Sequence, residues 1–141
     1  VEQAEQFIFM VNHEHGDLPP VLDIELLDGV SPEKVVDSLK IWLDMVESTY
    51  QIKPILYTNM NFYNDHLAGH FDEYPLWIAR YNRFFTPSLS GKNKWKFWQY
   101  GNKGKVAGIN GEVDFNVFRG KVEDLTKLSE PKSGILSFSK E

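Results

Sequence analysis

Two carboxylates stand two residues apart in an apolar part of the chain, at Asp23 and Glu25. In a β-strand, side chains at this spacing lie on the same face, with their Cα atoms about 6.6 Å apart. Two carboxylates this close do not ionise independently, since mutual repulsion and partial burial raise the pKa of one of them. A proton donor beside an anion near neutral pH is the equipment for cleaving a glycosidic bond, so the pair predicts glycoside hydrolysis.

A structural explanation also fits this pair, in which Asp23 and Glu25 are polar residues on an exposed edge strand. The flanking residues favour a buried strand instead. Pro19 and Pro20 lack backbone donors and suit the entrance of a strand, and apolar residues alternate with the carboxylates. Carboxylates in such surroundings need a functional reason. The apolar side chains predicted to face the core are Leu22, Ile24 and Leu26.

The composition limits the possible function classes. With 141 residues, the chain has the size of one domain, and its formal charge of -5 argues against a nucleic-acid partner. The absence of cysteine excludes disulfides and thiolate chemistry. No apolar run approaches the roughly 20 residues that span a membrane, so we predict no membrane insertion. Four Trp, six Tyr and ten Phe exceed what such a core requires, and some of them should line a site that stacks on sugar rings.

Helices and strands alternate along the chain. Apolar spacing predicts a helix over residues 1–11, and Ser31 with Pro32 predicts the start of a second helix that runs to about Thr49. Because the apolar pattern places the first residues inside a helix, we expect further residues to precede Val1. The predicted strands cover 18–25, 54–58, 76–81, 95–100 and 113–118, with a short irregular helix at 59–67, loops at 84–93 and 101–111, and a last helix through Val122, Leu125 and Leu128.

A strand, a helix and a second strand at this spacing indicate a parallel crossover. Polar and aromatic residues at the ends of successive strands describe part of a β/α barrel, in which function collects at the carboxyl ends. Because a closed eight-stranded barrel needs at least about 200 residues, we predict an α/β fold that is an incomplete, TIM-like barrel with mostly parallel strands. The strand-end residues are Asp23, Glu25, Tyr57, Arg80, Tyr81, Gln99, Tyr100 and Asp114.

Two further patterns carry less weight. His13 and His15 have a spacing that binds metals, but with no other ligand nearby they predict a solvated turn. The glycine-rich stretch 101–111 lacks the Lys-Ser/Thr of a phosphate-binding loop and the spacing of a dinucleotide site. We therefore predict neither a metal nor an organic cofactor.

Five motifs occur in a specific order: Leu-Pro-Pro-Val-Leu-Asp-Ile-Glu at 18–25, Pro-Ile-Leu-Tyr-Thr at 54–58, Leu-Trp-Ile-Ala-Arg-Tyr at 76–81, Phe-Trp-Gln-Tyr at 97–100 and Val-Asp-Phe-Asn-Val-Phe at 113–118. In this order they resemble the glycoside hydrolase family 25 lysozymes, the Chalaropsis-type muramidases. The resemblance implies that residues 1–128 are the C-terminal portion of such a catalytic domain, without its N-terminal strands, and that 129–141 are a tail. It also implies cleavage of the β-1,4 bond between N-acetylmuramic acid and N-acetylglucosamine in peptidoglycan, without a cofactor.

The resemblance implies roles for individual residues. Glu25 matches the general acid, Asp23 its partner, and Asp114 the acidic residue of the family's late Asp-x-Asn motif. Asp23 either attacks the anomeric carbon or orients the substrate's acetamido group; both routes retain configuration, and the sequence leaves the choice open. Simple packing is an equal alternative for the two tryptophans of the substrate-binding set. That set is Tyr57, Trp77, Tyr81, Trp98 and Gln99.

Family members ordinarily open with three strands, the first of which carries an Asp of the site, and these strands are absent here. The missing wall would leave backbone groups of the 18–25 strand unpaired, and this chain alone is then an incomplete enzyme. A non-catalytic peptidoglycan-binding module is therefore the main alternative, and a metal-dependent phosphodiesterase is a weaker one. The expected partner is the glycan strand of peptidoglycan. We also expect the open edge of the sheet to be covered, either by a second copy of the chain or by residues 135–138. The expected location is secreted or associated with the cell wall.

Overall fold

The computed structural model describes residues 1–131. Its strands are β1 (Val21–Asp23), β2 (Ile55–Asn59), β3 (Leu76–Ala79), β4 (Trp95–Gly104) and β5 (Val113–Phe118). Its helices are α1 (Glu2–Met10), α2 (Pro32–Tyr50), α3 (Met60–Phe62), which continues into a π-helical turn (Tyr63–Leu67), and α4 (Val122–Leu128). The element order agrees with the prediction. The strand predicted at 135–138 lies outside the described residues.

The five strands form one sheet in the order β1-β2-β3-β4-β5. The first four strands are parallel, and β5 pairs with β4 in the antiparallel direction. The sheet is open, so the predicted α/β fold with mostly parallel strands and an unclosed barrel is confirmed. One continuous row of cross-strand partners runs through Asp23, Tyr57, Trp77, Phe97 and Phe118.

The core lies between the helices and one face of this sheet. Ser31 is the N-cap of α2 and Pro32 its first residue, as predicted, because proline lacks the donor that a first helical turn leaves unused. Leu56, Leu76 and Ile78 are the fully buried residues that the strands contribute. The helix contributes a stripe at helical spacing, made of Val35, Val36, Leu39, Trp42, Leu43 and Val46. No helix within residues 1–131 is both long and apolar enough to cross a membrane.

Strand β1 is less buried than the sequence predicts. Leu22 and Ile24 do pack against the core, but Leu26 is 75% exposed because the strand ends at Asp23. Its other face is open to solvent, and no strand of the described residues pairs with its outer edge. The expectation of a buried strand is therefore correct for one face only.

Strand β4 is longer than predicted, because residues 101–104 continue the strand instead of starting a loop. The hairpin with β5 explains the extension: Gly101 pairs with Phe115 and Gly104 with Val113. The register shifts between Gln99 and Gly101, so β4 carries a bulge there. Gly104 is needed for this pairing, since the Phe115 ring lies over it.

Replacing Gly104 by Ala is expected to destabilise the fold by about 1–3 kcal/mol. The added Cβ would lie 2.5 Å from Cε2 of Phe115 and 2.8 Å from the Val113 carbonyl oxygen, so the hairpin would have to move. Gly101→Ala is the matched control on the same strand, because a Cβ there meets no atom within 4 Å. Urea unfolding of both variants checks this prediction, and an equal loss in both would contradict it.

Candidate active site

The candidate site occupies the face of the sheet opposite to the core. Side chains alternate between the two faces of a strand, so the row of Asp23, Tyr57 and Trp77 shares one face. Asn59, Ala79, Gln99 and Asn116 form the next row on that face, nearer the carboxyl ends of the parallel strands. Asp114 lies two residues from Asn116 and therefore has the same orientation. The fold thus brings polar residues from β1, β2, β4 and β5 to one surface.

A chain of hydrogen bonds crosses this surface. The hydroxyl of Tyr57 donates to Oε1 of Gln99 over 2.9 Å, and the hydroxyl of Tyr81 donates to the same oxygen over 3.1 Å. Nε2 of Gln99 donates to Oδ2 of Asp114 over 2.9 Å. Gln99 is 5% exposed. The two tyrosines and the aspartate are thereby linked through one buried amide.

Trp77 is fixed on the same face. Its indole nitrogen donates to Oδ1 of Asn116 over 2.9 Å. Its ring meets that of Tyr57 edge-to-face at 5.4 Å between centroids and lies 5.7 Å from the Phe97 ring. Asn116 and Phe97 were not among the predicted site residues. Only their shared parity with Asp114 and Gln99 in the strands could have indicated them.

The negative charges of three carboxylates act on Tyr57. Burial is the largest cause that raises the pKa of its hydroxyl, followed by the negative charge of Glu25 and then by Tyr81, Asp23 and Asp114. The phenol therefore keeps its proton at neutral pH and remains a donor to Gln99. These charges act on one hydroxyl. The three candidate acids, Asp23 on β1, Glu25 just after it and Asp114 on β5, therefore belong to the same part of the site.

Partial desolvation raises the pKa of Asp23 above its usual value, although the residue as a whole is exposed to solvent. The sequence predicts that one carboxyl of the pair has a raised pKa, through repulsion and burial together; desolvation is the cause at Asp23. The folded chain thus favours protonated Asp23, and the stability that this group contributes is lost as pH rises through its folded pKa. Glu25 follows β1 by two residues; both carboxylates are exposed, and Ile24 between them packs on the core.

Trp98 does not join this site. It is 8% exposed, and its indole nitrogen donates to the backbone carbonyl of Arg80 over 2.8 Å. Its ring packs against Trp95 and Tyr100 on the opposite face. The guanidinium of Arg80 donates to the carbonyl of Thr86. Of the two tryptophans whose role the sequence leaves open, Trp77 lies on the site face and Trp98 in the packing behind it.

No group of three or more His, Cys, Asp or Glu within residues 1–131 has an arrangement that could hold a metal ion. The ring of His13, one of the two spaced histidines, lies at hydrogen-bonding distance from the Leu18 carbonyl oxygen, 3.2 Å away, and packs on Tyr50. The residues of the site face supply carboxylates, a carboxamide and aromatic rings, and paired carboxylates are the groups that glycosidases use.

Comparison with known proteins identifies the family of this chain. Residues 1–109 match the model of "Glycosyl hydrolases family 25". The chain belongs to glycosyl hydrolase family 25. It is 45% identical over 123 residues to the uncharacterized protein YegX of Escherichia coli strain K12, covering 87% of this chain and 44% of YegX. It is 28% identical over 131 residues to Lysozyme M1 of Streptomyces globisporus, covering 84% of this chain and 43% of that lysozyme.

The fold agrees with the same family. A family 25 glycosyl hydrolase from Bacillus anthracis superimposes with a TM-score of 0.80 at 36% identity, over 91% of this chain and 62% of that one. The family 25 resemblance of the five motifs is therefore confirmed. The chain spans less than half the length of the curated relatives named above. Asp114 and Asn116 lie beyond the residues that match the family model.

Proposed function

We propose that the protein is a muramidase that cleaves the β-1,4 bond between N-acetylmuramic acid and N-acetylglucosamine in peptidoglycan. The observation that carries this proposal is that Asp23 pairs with Tyr57 across β1 and β2, while Gln99 links the same tyrosine to Asp114, in a chain of glycosyl hydrolase family 25. The negative charge of Glu25 acts on the same hydroxyl. Carboxylates at one site supply both the proton for the leaving group and the negative charge that stabilises an oxocarbenium-like transition state.

In this proposal, Glu25 is the general acid that protonates the glycosidic oxygen. Asp23 either attacks the anomeric carbon or orients the acetamido group that does so, and the product retains its configuration. The rings of Tyr57, Trp77 and Tyr81 line the same face and provide contacts for the sugars. Trp98 is left out of the substrate-binding set because it is buried on the other face.

A non-catalytic peptidoglycan-binding module is the second candidate. The observation that favours it is the position of β1 at the edge of the described sheet, with Asp23 and Glu25 both exposed. Carboxylates beside an open edge are well hydrated, and water weakens their action on a substrate. The same open edge offers unpaired backbone groups to a second copy, so we propose that the chain can self-associate there. For either function, we place the protein at the cell wall, secreted or wall-associated.

Purified peptidoglycan distinguishes the two functions. A muramidase releases new reducing ends at N-acetylmuramic acid, whereas a binding module sediments with the walls and releases none. Although the sequence predicts an incomplete enzyme, we expect reducing ends from the 141-residue chain, because it assembles Asp23, Tyr57 and Asp114 on one face. Sedimentation without reducing ends would replace the muramidase proposal by the binding module. If the chain neither sediments with the walls nor releases reducing ends, both proposals are rejected. Sedimentation velocity on the same preparation tests self-association, and a monomer at all concentrations would exclude it.

A further inference from the structure

Gln99 has the attributes of a substrate contact in the sequence, but its surroundings in the fold are different. Only 5% of the residue is exposed, and it lies below the surface that Tyr57 and Tyr81 present. Its oxygen already accepts two hydrogen bonds, which is the capacity of a carbonyl oxygen. Its nitrogen donates one of its two N–H groups to Asp114. One N–H of an almost fully buried amide is therefore all that is left for a sugar.

The direction of the amide follows from its neighbours. A carboxylate accepts hydrogen bonds but cannot donate them, so Nε2 of Gln99 faces Asp114 and Oε1 faces the two phenols. Each phenol can donate to this oxygen, and burial together with nearby negative charge keeps the proton on Tyr57. Reversal of the amide would place N–H groups against the phenols and an oxygen against a carboxylate.

The sheet places the amide where it can reach all three partners. Gln99 is paired with Asn116, so Asp114 is its diagonal neighbour on β5, within reach of a long side chain. The β-bulge that follows Gln99 lies between the pair of Gln99 with Asn116 and the pair of Gly101 with Phe115. On β3, the cross-strand partner of Gln99 is Ala79, whose short side chain leaves the amide open to Tyr57 in the neighbouring row.

We infer that Gln99 is a positioning residue: with its amide held in one direction by Tyr57 and Tyr81, it donates to Asp114 and sets the orientation of that carboxylate, and it does not contact the sugar. Its bearing on catalysis rests on the proposed muramidase function. Within residues 1–131, no Lys or Arg forms an ion pair with Asp114. The titratable groups that share this face are Asp23, Glu25, Tyr57 and Tyr81.

Replacing the amide of Gln99 by a carboxyl group tests its positioning role through stability and needs no enzymatic activity. Gln99→Glu keeps the shape but places a second carboxyl beside Asp114. At acidic pH one carboxyl keeps its proton and donates as the amide does; at neutral pH both ionise and repel. We expect the urea midpoint of this variant to fall, relative to the unchanged chain, as pH rises through the carboxylate range.

The double variant Gln99→Glu with Asp114→Asn reverses the direction of the same hydrogen bond. At neutral pH, we expect the double variant to recover most of the decrease in urea midpoint that Gln99→Glu causes. Position 114 carries an amide and no carboxylate in this variant. Equal pH dependence in Gln99→Glu and the unchanged chain, or no recovery in the double variant, would overturn the inference. Neither result depends on hydrolysis, so failure of the proposed function is seen separately, in the reducing-end assay.

A second measurement applies even if Gln99→Glu does not fold. The side-chain amide protons of Gln99 should exchange slowly with solvent, and faster in the pair Tyr57→Phe with Tyr81→Phe, because the amide loses both groups that hold its oxygen. Tyr100→Phe is the control, since its ring stacks on Phe115 on the other face. Unchanged exchange in the double phenylalanine variant would overturn the inference.

Affinity separates positioning from sugar binding. Gln99→Met keeps the length of the side chain and removes the amide. We expect its affinity for peptidoglycan to stay within about twofold of the unchanged chain, while the rate of hydrolysis falls, because an interaction that acts on the transition state alone changes kcat and not binding. A loss of affinity as large as the loss of rate would assign Gln99 to the sugar instead.

Discussion

Glu25→Gln is expected to lower the release of reducing ends from peptidoglycan by about 10²–10⁴-fold, the usual contribution of a general acid. Glutamine has the size of glutamate, but its amide has no acidic proton to give to the glycosidic oxygen. Glu25 is exposed and lies outside β1, so the fold should tolerate the change. The comparison uses purified walls, equal protein concentrations and a series of pH values.

Glu130→Gln is the matched control for Glu25→Gln. It removes the same charge from an exposed residue that follows α4. Glu130 lies near the residues that precede β3, at the end of that strand opposite to the site. We expect its rate to equal that of the unchanged chain. Full activity of Glu25→Gln would contradict its role as general acid. If Asp23→Asn then proved inactive, the proton donor would be Asp23, whose raised pKa favours its protonated form.

Leu43→Ala is expected to cost about 2–5 kcal/mol of unfolding free energy. Leu43 is fully buried in the stripe of α2 that packs on the sheet. Its truncation loses apolar burial and leaves a cavity that close-packed neighbours fill only in part. Urea unfolding followed by circular dichroism measures the change.

Ile41→Ala is the control on the same helix, since Ile41 is 45% exposed. It removes a similar volume from the surface and introduces a better helix former, so we expect a change within about 0.5 kcal/mol. Losses of similar size in the two variants would show that the core of the chain does not lie where α2 meets the sheet.

The sequence predicts most of the fold because its local signals agree with one another. Ser31 and Pro32 mark the start of α2, and the apolar stripe through Trp42 follows the helical period. Short apolar strands between such segments allow few arrangements other than a parallel sheet. The extension of β4 to Gly104 could not be predicted, because pairing with Val113 sustains it and glycine alone indicates a turn.

The site was less predictable than the fold. The carboxylates at Asp23 and Glu25 stand out by their spacing, but the assignment of Trp77 and Trp98 to opposite faces depends on strand register. A shift of register lies between Leu76 and Trp77, and sequence gives no sign of it. The roles of Gln99 and Asn116 depend on partners in strands that are not adjacent in the chain.

Two hydrogen bonds of the site each skip a strand: Tyr57 on β2 reaches Gln99 on β4, and Trp77 on β3 reaches Asn116 on β5. Positions two strands apart are about 9.6 Å from one another in a flat sheet, so only long side chains reach across the strand between them. Each of these two bonds therefore joins strands that are not neighbours in the sheet. In an open sheet, such side-chain bonds limit how far non-adjacent strands can separate, as ring closure does in a closed barrel.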